Sequence, residues 1–351
     1  MNSIELPPAA DFHVHLRDGS MMETVVPTIR SGGVSLVYVM PNLVPPITTI
    51  EQALSYHSKL VSLDNSVNYL MTLYLTPEIT PSVIAKAADT NVIFGVKSYP
   101  KGLTTNSEGG VVSYTEFYPV FAAMEEHDMV LNLHGESPSS ETTTVLNAEE
   151  TFLPTLFDLH EKFPKLRIVL EHCTTAAAVE AVKKCGPTVA ATITAHHLYL
   201  TIDQWADNPH CFCKPVAKLP SDRAALVEAA TSGDPKFFLG TDSAPHPKSA
   251  KVGTRTGKTA AGVFTQPYAM QYVATAFDKV GKVDKLKGFA CDFGRAFYKI
   301  KEKGLEGNYK SGAIVLSKEP GVIVVEEIGQ GEGVIVPFHA GEKIWGLEWR
   351  T

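Results

Sequence analysis

Cysteine is scarce in this chain: Cys173, Cys185, Cys211, Cys213 and Cys291 are the five in 351 residues. An odd, widely spread set does not build a disulfide framework, and no Asn-x-Ser/Thr sequon is present. A reducing compartment, the cytoplasm, is the expectation. Basic charge is in deficit, with 31 Lys and Arg against 38 Asp and Glu and a formal net charge of -7. That balance argues against a phosphate-backbone partner, so no nucleic-acid binding is expected. Long apolar runs are missing too. The longest uncharged stretch near the front, Ser31 to Ile50, is broken by Pro41, Asn42, Pro45 and Pro46 and makes a poor membrane span. The opening Met-Asn-Ser-Ile-Glu-Leu-Pro-Pro has no basic stretch ahead of an apolar core, so neither a secretory signal nor membrane association is expected.

What the chain does have is apolar material for a sizeable core, 44% hydrophobic against 20% charged. Its length exceeds one ordinary domain, but α/β barrels run to about 250 residues or more as a single unit. Short runs rich in Val, Ile and Tyr recur, each followed by a longer segment of helical spacing, the pattern of β-α units on a parallel sheet. Eight runs are predicted as strands: Ala10–Leu16, Val34–Met40, Tyr69–Leu75, Val92–Lys97, Met129–His134, Arg167–Glu171, Thr188–Thr194 and Lys236–Gly240. Helices are predicted over Thr49–Leu63, Pro81–Asp89, Tyr114–His127, Ala148–Phe163, Thr175–Lys184 and Ser221–Thr231. Asn147 ahead of Ala-Glu-Glu, and Pro220-Ser221-Asp222 ahead of an Ala-rich stretch, supply start signals. Periodicity alone leaves an open doubly wound sheet as an alternative to a closed (β/α)8 TIM-type barrel, and the polar residues favour the barrel. Further on, Phe264–Phe277 and Leu286–Phe297 read as helices and Gly312–Trp349 as short strands with Gly turns. The expected organisation is a barrel over residues 1–310 with a small C-terminal extension over 311–351 packed on it.

The strongest local signal is Asp11-Phe12-His13-Val14-His15-Leu16-Arg17. Residues two apart in a strand share a face, so His13 and His15 present two imidazoles together where the first strand ends. A hydrogen-bonded pair in a turn explains a lone His-x-His equally well. Other strands contribute Lys97, His134, His172 and Asp242 at their C-terminal ends. Each alone has a plain structural explanation as a buried histidine, a loop cation or a helix-cap aspartate. Their shared position joins them, because a closed barrel brings its strand ends to one mouth. Four histidines and an aspartate suit a divalent ion, zinc first among them. Lysine is the misfit, since an ammonium cannot coordinate a cation. Beside divalent ions its pKa falls, and the free amine can take up carbon dioxide as a carbamate that bridges a metal pair. Arg17 follows the histidines by two, with a planar fork suited to a carboxylate.

The blocks His13-Val14-His15-Leu16-Arg17-Asp18-Gly19, Met40-Pro41-Asn42, Val96-Lys97-Ser98-Tyr99-Pro100, Leu133-His134-Gly135-Glu136, Glu171-His172-Cys173-Thr174-Thr175 and Gly240-Thr241-Asp242-Ser243-Ala244-Pro245-His246 occur in that order. In them the sequence resembles the short, class II dihydroorotases of the amidohydrolase superfamily, from His13 to about Phe264 and more weakly in the tail. The resemblance implies a metal-dependent amidohydrolase that reversibly cyclises N-carbamoyl-L-aspartate to L-dihydroorotate in de novo pyrimidine biosynthesis. It implies two Zn2+ per chain, one on His13, His15 and Asp242 and the second on His134 and His172, bridged by N6-carboxylated Lys97. A hydroxide shared by the metals would attack the ring amide, with Asp242 as general acid/base. Arg17 and Asn42 would hold a substrate carboxylate, with His246 in further contact. Thr104 and Thr105, in the Gly-containing stretch Pro100–Gly110, would reach the substrate from a lid. Main-chain groups of Lys214 and Ala261 would match further substrate contacts. Lys214 departs from the Leu of some bacterial relatives, a change that a main-chain contact tolerates. A homodimer acting on this small molecule completes what the family implies.

Two other functions compete. A hydantoinase or allantoinase shares the His-x-His and bridging-lysine logic, but those relatives usually carry a β domain ahead of the barrel, and only twelve residues precede His13. A catalytically inactive scaffold of the same type would be expected to have lost metal ligands. Gly253-Thr254-Arg255-Thr256-Gly257-Lys258-Thr259 has three residues between its glycines where a phosphate loop needs four. Gly329-Gln330-Gly331-Glu332-Gly333 reads as a turn. Cys211-Phe212-Cys213 lacks a second cysteine pair to complete a structural zinc site, and His196 and His197 read as wall or core residues.

Overall fold

A computed structural model describes residues 2–103, 107–252, 257–305 and 312–350 of the chain. A short strand β1 (Ser3–Leu6) precedes β2 (Ala9–Val14), β3 (Val34–Val39), β4 (Asn68–Tyr74), β5 (Ile93–Ser98), β6 (Val130–His134), β7 (Arg167–Glu171), β8 (Val189–Ile193) and β9 (Phe237–Leu239). The last eight pair in sequence order, every neighbour parallel. Their ends are stitched together at the mouth. Val14 bridges Ser243, Asp242 N–H donates to His13 O at 2.9 Å, and His15 N–H donates to Ser243 O at 3.0 Å. The sheet is therefore a barrel rather than an open sheet.

These strands are buried on both faces, which is why they read as near-continuous apolar runs. Alternate residues fill the interior: Leu36 and Tyr38 on β3 with Met40 just past its end, Val130 on β6, Val169 on β7, Ala190 on β8 and Phe238 on β9. Phe12 stacks on Tyr298 at 4.6 Å and meets Phe238 edge-on at 5.4 Å, so a late segment of chain packs into the barrel interior. The opposite strand faces pack on surrounding helices, among them Ile50–Leu63, Ala148–Lys162 and Pro220–Thr231. The helix at Ala148 starts where Asn147 predicts, yet the Asn147 side chain accepts from Thr144 N–H at 2.7 Å and makes no bond to the helix's own first turn. Glu149 and Glu150 supply the acidic first turn instead.

The predicted helix at Phe264 begins only at Ala269 and runs to Lys279, after a 3-10 turn at Gln266–Tyr268. Ser243 Oγ takes the N–H groups of Thr265 and Gln266 at 3.2 and 3.0 Å, pinning that segment to the barrel mouth before the helix can start. In the tail, β10 (Ala313–Ile323) and β11 (Lys343–Arg350) pair antiparallel, and β1 completes the sheet against β10. Sequence reading missed β1, a four-residue edge that is recognisable only beside its distant partner. Arg30 lies 3.2 Å over the Trp349 ring and takes the indole N–H on its carbonyl at 2.7 Å, docking the sheet on the barrel. Among the described residues no helix is long and apolar enough to cross a membrane.

Candidate metal centre

The interior rows turn polar as they approach the mouth. On β6 the row runs Val130, Asn132, His134; on β7, Val169, Glu171; on β8, Ala190, Thr192. Strand parity thus delivers His134 and Glu171 inward. His172 follows Glu171 and by parity would face the helices, but its backbone is left-handed with φ 42°. Asp242 at φ 48° and Arg17 at φ 62° share that conformation. It costs a non-glycine residue on the order of 1–2 kcal/mol, and all three side chains face one cavity. For Arg17 this replaces the period-two argument, since β2 ends at Val14.

His13, His15, Arg17, Asn42, His134, His172, Lys214, Asp242, His246 and Ala261 line that cavity together, with Tyr99, Ala244 and Gly262. Lys97 is fully buried, its Nζ 5.1 Å from the centre of the Tyr99 ring. Thr104 and Thr105 lie outside the described residues. The ring centres of His13 and His15 are 5.5 Å apart, those of His13 and His172 5.0 Å, and those of His134 and His172 4.6 Å. Asp242 Oδ1 sits 3.0 Å from His15 Nε2 and 3.5 Å from His13 Nε2. Donor atoms of His13, His15 and Asp242 all fall within 4.8 Å of one another, a grouping that suits a metal ion. Gly240 permits the seam beside it, because a Cβ there would stand 2.6 Å from Thr192 Cγ2 and 3.0 Å from His13 Cβ.

The electrostatics fit a cation. His13 Nε2, His172 Nδ1 and Lys97 Nζ are buried without a hydrogen-bond partner, which is costly unless something else engages them. Burial, then the nearby Lys97 ammonium, holds His13 and His172 well below the usual imidazole range, so both stand neutral and ready to donate lone pairs. Burial pushes Lys97 down to about 8, against the opposing pull of Glu171 and Asp242. Burial alone would raise Asp242, but the His15 hydrogen bond and the imidazoles of His13 and His15 outweigh it and keep the carboxyl below its ordinary value. Arg17 Nε donates to Pro245 O at 2.9 Å and its Nη2 lies 3.2 Å from His246 Nε2. Burial and the Arg17 charge hold His246 down at about 3, so its ring stands neutral between Arg17 and the Ala261 carbonyl oxygen, 3.0 Å from the same Nε2.

The structure adds carboxylates that sequence reading did not assign. Glu171 Oε2 lies 2.7 Å from His13 Nδ1 and accepts from Thr192 Oγ1 at 2.6 Å, while Oε1 accepts from Asn132 Nδ2 at 2.6 Å. Glu136 Oε2 is 2.8 Å from His134 Nε2, leaving the other ring nitrogen for a metal. Asp11 accepts the N–H and hydroxyl of Thr241 at 2.8 and 2.7 Å, fixing the chain just before Asp242. Such outer carboxylates orient metal-binding imidazoles. Glu171 stands next to His172 and Glu136 two residues past His134, which is the signal that was available.

Residues 6–280 match the amidohydrolase family, and the chain belongs to that family. Over 348 residues, 99% of each chain, it is 58% identical to a probable dihydroorotase of Schizosaccharomyces pombe. The crystal structure of a Saccharomyces cerevisiae dihydroorotase in complex with 5-fluoroorotic acid matches with a TM-score of 0.94 at 46% identity, covering 100% of this chain and 99% of that one. An L-hydantoinase of Arthrobacter aurescens, at 16% identity and a TM-score of 0.81 over 98% of this chain and 82% of its own, shares the fold alone. Within the family this chain stands with the dihydroorotases, as a cyclic amidohydrolase.

Proposed function

We propose that the chain interconverts N-carbamoyl-L-aspartate and L-dihydroorotate at the barrel mouth. The observation that carries this reading is the convergence of four imidazoles and Asp242 with Arg17, Asn42 and His246 on one cavity, beside buried Lys97. His13, His15 and Asp242 would hold one zinc ion, His134 and His172 a second, and Lys97, carboxylated on Nζ, would bridge them. The unpartnered Nζ and its lowered pKa support that chemistry, since only the neutral amine adds carbon dioxide. Bound metal supplies a nucleophile at neutral pH and polarises the carbonyl under attack.

The chain's own groups do the rest. Arg17 offers the substrate carboxylate a charged, planar donor already fixed by Pro245 O and His246. Asn42, the main-chain groups of Lys214 and Ala261, and Thr104 and Thr105 would complete the grip. Asp242 takes a proton on the way to ring opening and passes it to the departing ring nitrogen. Ring opening therefore needs Asp242 ionised and ring closure needs it protonated, so closure gains relative to opening as pH falls. We read residues 1–310 as the catalytic barrel and 311–351 as its extension, and the working unit as a cytoplasmic homodimer.

The test is a spectrophotometric dihydroorotate assay with metal content measured on the same sample. Turnover in both directions with two metals per chain is expected. A protein holding both metals but inert toward dihydroorotate, and active on a hydantoin, would overturn the assignment. An inactive scaffold is disfavoured because none of the donors His13, His15, Lys97, His134, His172 and Asp242 is replaced.

A further inference from the structure

His196, His197 and Cys213 take no part in the reaction proposed above. The histidines lie on the short turn His196–Leu198 that follows β8, and Cys213 lies on the loop carrying Lys214; all three are buried. His197 Nε2 is 3.6 Å from Cys213 Sγ, and the Pro215 carbonyl oxygen is 3.2 Å from that nitrogen and 3.1 Å from that sulfur. Zinc bonds of about 2.3 Å to sulfur and 2.0–2.2 Å to nitrogen and oxygen, set at tetrahedral angles, place neighbouring ligand atoms roughly 3.3–3.6 Å apart. The observed triangle is close to one face of such a tetrahedron. His196 is the nearest candidate for the remaining corner, since donor atoms of His196, His197 and Cys213 all lie within 4.8 Å of one another and a small turn of the ring closes the rest of the distance.

Hydrogen bonding alone explains this cluster poorly. The Pro215 carbonyl is approached by both the thiol and the His197 ring, while both ring nitrogens of His196 and Nδ1 of His197 are buried without any partner. Stranded polar atoms of that kind are costly to keep buried. A cation bound by His197 Nε2, Cys213 Sγ and one His196 nitrogen would give one of those stranded atoms a partner.

We propose that His196, His197 and Cys213, with the Pro215 carbonyl as fourth donor, form a binding site for a zinc-type divalent cation, separate from the paired centre. On binding, the thiol proton leaves to solvent, and the thiolate and two neutral imidazoles donate to the ion. Two imidazoles thus take the place of the second cysteine pair that Cys211 and Cys213 lack. The site is structural: it ties the turn after β8 to the loop whose Lys214 walls the catalytic cavity.

Full-length protein, stripped with chelator and reloaded with Co2+, tests this. The paired centre has no sulfur ligand, so a thiolate-to-cobalt charge-transfer band in the near ultraviolet reports the new site alone. The band is expected in the unmutated protein and in Cys211→Ser. It should vanish in Cys213→Ala together with one equivalent of bound metal. Absence of the band from the unmutated protein, or its survival in Cys213→Ala, refutes the site. Should Cys213→Ala misfold, crystals of unmutated protein grown with zinc decide the matter. An anomalous peak about 2.3 Å from Cys213 Sγ supports the proposal, and its absence overturns it.

Discussion

Glu171→Gln is the most discriminating change at the catalytic mouth. Both carboxylate oxygens are engaged: Oε1 by Asn132 Nδ2 at 2.6 Å, Oε2 by Thr192 Oγ1 at 2.6 Å and by His13 Nδ1 at 2.7 Å. Glutamine keeps one oxygen and brings an NH2 group in place of the other. Turned one way, that NH2 opposes the Asn132 amide, which is itself held by Tyr38 OH on Oδ1 at 2.8 Å and reaches Tyr298 OH at 2.7 Å. Turned the other way, it opposes the protonated Nδ1 of His13. Either orientation sets donor against donor in a buried site and removes the negative charge that would keep His13 Nε2 basic toward a metal. Loss of an orienting carboxylate behind a metal-bound histidine costs about 10–100-fold in affinity or activity, equivalent to about 1.4–2.7 kcal/mol. Chelator-competition titration with zinc, alongside kcat for dihydroorotate, measures it. Metal affinity and kcat both at the wild-type level would refute the claim that Glu171 orients His13.

Other expectations are open to equally direct measurement. With Lys97 held at about 8, its ammonium form below that pH cannot add carbon dioxide. At a fixed concentration of dissolved carbon dioxide, reactivation of metal-free protein by zinc should therefore slow about tenfold for each pH unit below 8, and a flat profile from pH 6 to 8 would count against Lys97. Arg17→Lys removes the fixed fork and should raise KM by at least about tenfold with a smaller change in kcat, as steady-state kinetics will report. Burial raises Glu149 to about 7, and it accepts from Thr174 N–H and Thr175 Oγ1 behind His172. A folded pKa above the unfolded value of 4.5 means the native state binds more protons between those limits. That contribution is full below about 4.5 and is lost as pH rises through about 7. Urea midpoints should accordingly fall less between pH 5 and pH 8 in Glu149→Gln than in the unmutated protein, and equal falls would remove Glu149 from the account.

What was legible in the sequence was what strand periodicity controls. His134 follows the same inward row as Val130 and Asn132, so strand-end placement found it without any knowledge of its neighbours. Lys97 was legible for a similar reason, as the polar end of a buried run. His172 and Asp242 were reached by position and family likeness, while the left-handed turns that aim them left no mark, since neither is glycine. Adjacency to His172 was a signal available for Glu171, but the partners of Glu171 and Asp11 were invisible because they lie far along the chain: His13 is 158 residues from Glu171, and Thr241 is 230 from Asp11. The pairing of β1 with β10 escaped for the same reason, whereas Cys213 meets His197 only 16 residues away, across a loop whose path periodicity does not describe.

The seam of the barrel and its chemistry occupy the same few residues. Asp242 N–H bonds His13 O, His15 N–H bonds Ser243 O, and the side chains of those same residues, His13, His15 and Asp242, meet as donors. Closing the sheet between its first and last strands therefore brings the proposed ligand set together. Until β9 docks, His13 and His15 lack Asp242 altogether; once it docks, the backbone bonds hold the donors at their spacing whatever the outer helices do. Gly240 fits this economy, since any side chain there would push Thr192 and His13 apart at the point of closure. Thr192 in turn holds Glu171 against His13, so a single steric change at the seam reaches both the first donor and the carboxylate that orients it. Metal bound across that seam links two chain segments that only the folded barrel brings together, so affinity for the ion and stability of the closed barrel must rise and fall together.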